Sequence, residues 1–198
     1  LDVAVHYRTA NHAGGDYYDF LPLPDGKLDV LVADASGHGT PAAVMMAITH
    51  TLAHSTPEPP TKPGAFLGYL NDHLARRYTQ VSGNFVTAFY GVVDVHERRM
   101  VYANAGHPPG LVLRADGSTE WLPATGAPLG VPQGAIKEGY VNFRPGDGLV
   151  LFTDGVTEAG SGPDTFFELA GIEAAARERR AQSAAEIGEG ILEAAAQH

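Results

Sequence analysis

The sequence predicts an α+β fold, an antiparallel β-sandwich flanked by helices. Three observations point to it. Short apolar runs of strand type recur with hairpin turns between them, a helical block follows Thr40, and the residues after Asp154 turn to helical composition.

Leu1 to Tyr7 and Tyr17 to Leu23 read as short strands. Pro24-Asp25-Gly26-Lys27 has the residues of a hairpin turn, and Leu28 to Ala33 reads as the returning strand. Thr40 then serves as an N-cap, with Pro41 pre-set at the first helical position of a helix that runs through Met45, Met46 and Ile48 towards His54. A Pro-rich linker, Pro57 to Pro63, ends it. In a second helix Phe66, Leu67, Leu70 and Leu74 form one apolar stripe. Phe85 to Val95 and Met100 to Ala105 form a long hairpin with Arg98-Arg99 at its polar tip. Leu111 to Arg114 and Ser118 to Leu122 form another across Asp116-Gly117. Tyr140 to Phe143 and Leu149 to Thr153 are expected to pair across Arg144-Pro145-Gly146-Asp147. Asp164 is placed to cap one late helix, and Ser183 with Glu186 has capping-box spacing for another. No repeat or low-complexity tract divides the chain, and 198 residues suffice for one core, so a single domain over residues 1–198 is expected.

Composition narrows the function. The absence of cysteine excludes disulfide scaffolds, thiolate zinc sites and thiol nucleophiles, and it fits a reducing cytoplasm. A net charge of −10 argues against nucleic acid as a partner. The longest apolar runs are too short for membrane insertion, and Asp2, His6 and Arg8 spoil a signal peptide.

Three segments place an aspartate beside glycines at a strand-to-loop junction: Gly14-Gly15-Asp16, Asp34-Ala35-Ser36-Gly37-His38-Gly39 and Thr153-Asp154-Gly155. An ionised carboxylate at the end of an apolar run is costly unless paired or bound to a cation. Three carboxylates without a Cys ligand favour Mn²⁺ or Mg²⁺ over zinc. Two such ions can clamp a phosphate for in-line attack by water. Gly37-His38-Gly39 leads into a helix start, which favours an anion nearby. Any one of these aspartates alone reads more readily as a turn or cap.

Taken together, the motifs are recognisable. Gly14-Gly15-Asp16-Tyr17-Tyr18-Asp19 and Asp34-Ala35-Ser36-Gly37-His38-Gly39 resemble the bacterial SpoIIE-like (RsbU-type) branch of the PPM metal-dependent protein phosphatases. Thr87-Ala88-Phe89-Tyr90-Gly91, Asn104-Ala105-Gly106-His107-Pro108, Pro128-Leu129-Gly130 and the run from Phe152 to Ala159 follow in the family's order. The resemblance implies a two-metal site at one end of a β-sandwich. Asp34 matches the aspartate that bridges both ions and the carbonyl of Ala35 the backbone ligand beside it, while Asp16 and Asp154 match further carboxylates. It implies attack on a phosphoserine or phosphothreonine by a metal-bridging hydroxide rather than by a side chain. The partner it implies is a phosphorylated STAS-type anti-anti-sigma protein. An upstream sensor domain is common in the branch, and a homodimer is left open. Members usually end on a strand with an Asp-Asp-x-Thr motif, whereas here the last aspartate is Asp164 and the last residue His198. The expectation is a domain lacking its last strand and a site one carboxylate short.

Rival readings stand beside this one. A non-catalytic scaffold that binds a phosphorylated partner would tolerate the missing carboxylate, although it has no need of Asp16, Asp34 and Asp154 together. A small-molecule phosphatase is the third option. His50 and His54 have the four-residue spacing of two metal ligands on one helix face, but no glutamate lies between them, and exposed or capping histidines near a helix end are favoured. His38 could act as a general acid or fix its loop, and His107 fits the fixing of a turn. Arg177, Arg179 and Arg180 with Glu173 and Glu178 read as a solvated helix face.

Overall fold

The computed structural model describes residues 1–8, 14–20, 23–56, 60–79, 83–160, 162 and 165–198. In chain order the strands are β1 (Asp16–Asp19), β2 (Lys27–Ala35), β3 (Val86–Asp94), β4 (Arg99–Ala105), β5 (Gly110–Leu113), β6 (Thr119–Leu122), β7 (Gly139–Asn142) and β8 (Gly148–Val150). The helices are α1 (Thr40–Ala53), α2 (Pro63–Leu74), α3 (Asp154–Thr157), α4 (Glu168–Glu178) and α5 (Ala184–Gln197). Two compact units result, one of Thr9–His107 with Pro123–Asn142, the other of Leu1–Arg8, Pro108–Leu122 and Phe143–His198.

The first unit holds a five-stranded antiparallel sheet in the order β1-β2-β3-β4-β7. Alternation along β2 and β3 sorts the side chains between its faces. Leu31, Ala33 and Ala35 join Ala88 and Tyr90 in a buried core with Met45, Met46, Phe66, Leu67, Leu70 and Leu74 of α1 and α2. The alanines keep that face shallow, so the helices lie close to the strands. The Phe66 and Tyr90 ring centroids are 4.2 Å apart. Phe89 and Tyr102 belong to the opposite face, where they stack at 5.3 Å and 5°. Neighbouring Gly91 has no room for a side chain, since a Cβ would stand 2.7 Å from the Met100 sulfur. Asp29 is buried within β2 and accepts a 2.7 Å hydrogen bond from the Tyr90 hydroxyl, so the buried carboxyl is not left without a hydrogen-bond partner.

The second unit holds a three-stranded antiparallel sheet in the order β6-β5-β8. Leu111 and Leu113 pack with Phe152, Phe167, Ile172, Ala176 and Ile191 in its core. Ser183 caps α5 through the expected box with Glu186. Arg177 pairs with Glu173 on the solvated face of α4, whereas Arg179, just past the end of α4, reaches Glu193 of α5.

The expected α+β fold of antiparallel sheets with flanking helices is present, with several local departures. Residues 1–8 form no strand; the Asp2 carboxylate instead accepts from the Ala184 N–H at 2.8 Å, and His6 Nε2 lies 3.1 Å from the Ala185 carbonyl. The segments on either side of Arg144-Pro145-Gly146-Asp147 do not pair with each other, because β7 joins β4 and β8 joins β5. The turn is held instead by Asp147, which accepts from Arg114 Nη1 at 2.8 Å and from the Ala115 and Arg144 N–H groups. α1 is preceded by Gly39 at φ 73° in the cap position, so Thr40 is the first helical residue rather than the cap. Asp164 and residues 57–59 of the linker Pro57 to Pro63 lie outside the described residues. Among the described residues, no helix is long and apolar enough to cross a membrane.

Candidate functional site

Asp16 and Asp34 are brought together by strand register. They are direct cross-strand partners in β1 and β2, so their side chains leave the same face of the sheet. Ala33 and Ala35 enter the α1–α2 core, which places Asp34 on the opposite face. The sequence suggested that Asp34 follows its strand, but β2 continues through Ala35 and fixes Asp34 inside the ladder. Both aspartates are half-buried.

Gly15 completes this corner. Its carbonyl accepts from the Ala35 N–H at 3.0 Å. A Cβ at this position would stand 2.7 Å from the Ala35 carbonyl oxygen and 2.9 Å from Asp34 Oδ1. The backbone of Gly15 therefore lies against two of the expected oxygen ligands, and a larger residue would displace them. Asp16, Asp34 and the Ala35 carbonyl make an oxygen-only donor set. It suits hard dications such as Mg²⁺ and Mn²⁺.

The same row of the sheet continues into residues that the sequence reading left without a chemical role. Thr87 faces Asp34 across β2 and β3, and its Oγ1 lies 2.9 Å from His107 Nδ1. His107 is buried, its N–H donates to Asn104 Oδ1 at 2.8 Å, and Asn104 Nδ2 donates back to the His107 carbonyl at 3.1 Å. Gly106 between them takes φ 65° against Pro128. His107 thus fixes a turn, as expected, and also buttresses Thr87 beside the aspartate pair. The signal was present in the motif from Asn104 to Pro108, but no local period places it next to Thr87.

Asp154 belongs to the second unit, as the first residue of α3, after Thr153 in the cap position. It is exposed rather than buried at a strand end, so the desolvation argument does not apply to it. His38 is exposed in the loop before α1, where Gly37 takes φ 94°. His50 and His54 are exposed near the end of α1, in line with expectation. They also meet Asp19: His54 Nε2 is 2.7 Å and His50 Nδ1 4.0 Å from Asp19 Oδ2.

Comparison with known proteins agrees with the family resemblance of the motifs. The model of the family described as Stage II sporulation protein E (SpoIIE) matches residues 24–198. The phosphoserine phosphatase RsbU of Bacillus subtilis (strain 168) is 30% identical over 195 residues, which cover 98% of this chain and 57% of that protein. The chain thus spans little more than half of this relative. The solved RsbU and RsbW domains of Rv1364c from Mycobacterium tuberculosis are similar with a TM-score of 0.74 and 27% identity, covering 87% of this chain and 48% of that one. The SiaA-PP2C domain of Pseudomonas aeruginosa gives a TM-score of 0.82 at 22% identity, over 93% of this chain and 74% of that one, which bears on the fold alone.

Proposed function

Because the chain belongs to the SpoIIE family, we propose that it is the catalytic domain of a metal-dependent protein serine/threonine phosphatase. The observation that carries this reading is the Asp16–Asp34 cross-strand pair with Gly15 packed against Asp34 Oδ1 and the Ala35 carbonyl. Two carboxylates directly opposite on one face repel each other, and a divalent cation between them turns that repulsion into binding.

In this reading Asp34 would be the ligand shared by two Mn²⁺ or Mg²⁺ ions, and Asp16 and the Ala35 carbonyl would help to hold them. Asp154 is assigned a further carboxylate role on its motif alone. Such ions, when bound, neutralise phosphate charge and lower the pKa of a coordinated water. The side chains hold and orient: Asp16 and Asp34 are fixed by the ladder, while Gly15 keeps the approach to them open. The substrate class is a phosphoserine or phosphothreonine, supported by the likeness to RsbU. A STAS-type anti-anti-sigma protein is the partner that the family pattern favours, in the cytoplasm and under an upstream sensor domain.

Hydrolysis of a generic phosphate ester with Mn²⁺, with and without EDTA, tests the metal. Activity that survives EDTA unchanged would sink the mechanism. Asp34→Asn is expected to lower kcat at least about tenfold, whereas Asp25→Asn, in the turn before β2, leaves it near the parent value. Equal effects would contradict the assignment of Asp34.

A further inference from the structure

Strand β1 presents Asp16 to one face of the sheet and Asp19 to the other, because they are three positions apart and side chains alternate. Asp19 meets α1 on its face. His50 lies in the last turn of α1 and His54 is its C-cap, four positions on, with ring centroids 4.4 Å apart, and both approach the Asp19 carboxylate. One donor atom from each of these three residues falls within a group spanning no more than 4.8 Å. We propose that Asp19, His50 and His54 form a second cation site, separate from the aspartate pair, for a zinc-class transition dication.

The donor chemistry makes the distinction. Two imidazoles and one carboxylate suit Zn²⁺ or Co²⁺ and give Mg²⁺ little, whereas the all-oxygen corner at Asp34 has the opposite preference. Three protein ligands leave one tetrahedral position for water. Tetrahedral bonds of about 2.0–2.2 Å bring the donors about 3.4 Å apart. His50 Nδ1 therefore closes on Asp19 Oδ2 from 4.0 Å while His54 Nε2 draws back from 2.7 Å, shifts that half-exposed histidine side chains at 53% and 37% exposure can make.

A supporting shell is already in place. The Tyr17 hydroxyl donates to Asp19 Oδ2 and so orients that ligand, and its oxygen also lies 2.8 Å from His50 Nδ1. The Phe20 N–H holds the other carboxylate oxygen at 2.8 Å. Contacts from Tyr17, His54 and Phe20 thus converge on the Asp19 carboxylate.

Equilibrium dialysis against Co²⁺ and Zn²⁺ tests the site, in an Asp34→Asn background that silences the other cluster. One equivalent of Co²⁺ is expected, with the visible d–d bands of a low-symmetry imidazole site. Adding His50→Ala and His54→Ala should weaken binding at least tenfold and abolish those bands. Tyr17→Phe should weaken it about tenfold while keeping the bands, since it removes an orienting group and no ligand. Far-UV circular dichroism confirms that each variant is folded; should the double variant fail, His54→Gln alone must show the loss. Equal Co²⁺ binding with and without the histidines, or no binding by the parent at micromolar metal, would overturn the proposal. Because Asp34→Asn is the background throughout, either result stands whether or not the phosphatase reading holds.

Discussion

Single side chains decide how sharply the molecule responds to its surroundings. Asp147 shows this best, since its carboxylate is almost fully buried, at 2% side-chain exposure. Burial alone would raise its pKa, but the N–H groups of Arg144 and Ala115 and the Arg114 guanidinium outweigh that and hold it below the ordinary value. A carboxyl whose folded pKa is depressed adds stability above its unfolded pKa and loses it as pH falls through the folded one. The acid limb of the unfolding profile should therefore extend below the usual aspartate range, and Asp147→Asn should flatten it. An unchanged acid limb in urea titrations at stepped pH would contradict this. The sequence marked Asp147 as a turn residue, but nothing local showed that Arg114, thirty-three positions away, would be its partner.

Elements whose order comes from their own period were legible, and those ordered by distant partners were not. The stripe Phe66, Leu67, Leu70 and Leu74 gave α2, and the β3–β4 hairpin follows its alternation and turn. The residues from Leu1 to Tyr7 have similar alternation but pair with no strand among the described residues, and Asp2 and His6 contact the start of α5 instead. Arg144 to Asp147 was a sound turn signal, yet a turn does not dictate that its flanks pair. The α5 cap was legible because it is local. Ser183 Oγ accepts from the Glu186 N–H at 3.3 Å, and the Glu186 carboxylate accepts from the Ser183 N–H at 2.9 Å. Ser183→Ala is expected to cost about 0.5–2 kcal/mol in chemical denaturation. A loss near zero would show that α5 is held by the packing of Ile191 and Ala195 alone.

For the whole molecule, the candidate ligands were recognisable as motifs, but only strand register set Asp16 beside Asp34, since a register is a property of two strands at once. Binding of Mg²⁺ at the aspartate corner should be visible as global stability. At free Mg²⁺ about 100-fold above its Kd the gain is about 2.7 kcal/mol, or roughly 5–10 °C in Tm for a chain of this size. Asp34→Asn should remove most of that rise, while His50→Ala should not. The two aspartates are, however, anchored unequally. Asp34 lies in a nine-residue strand hydrogen-bonded on both sides, whereas Asp16 opens a four-residue strand at the sheet edge. Native-state hydrogen exchange should accordingly show β1 amides opening well before those of β2. Added divalent cation should slow exchange in β1 most, so that capture of the ion is what tethers an otherwise fraying edge.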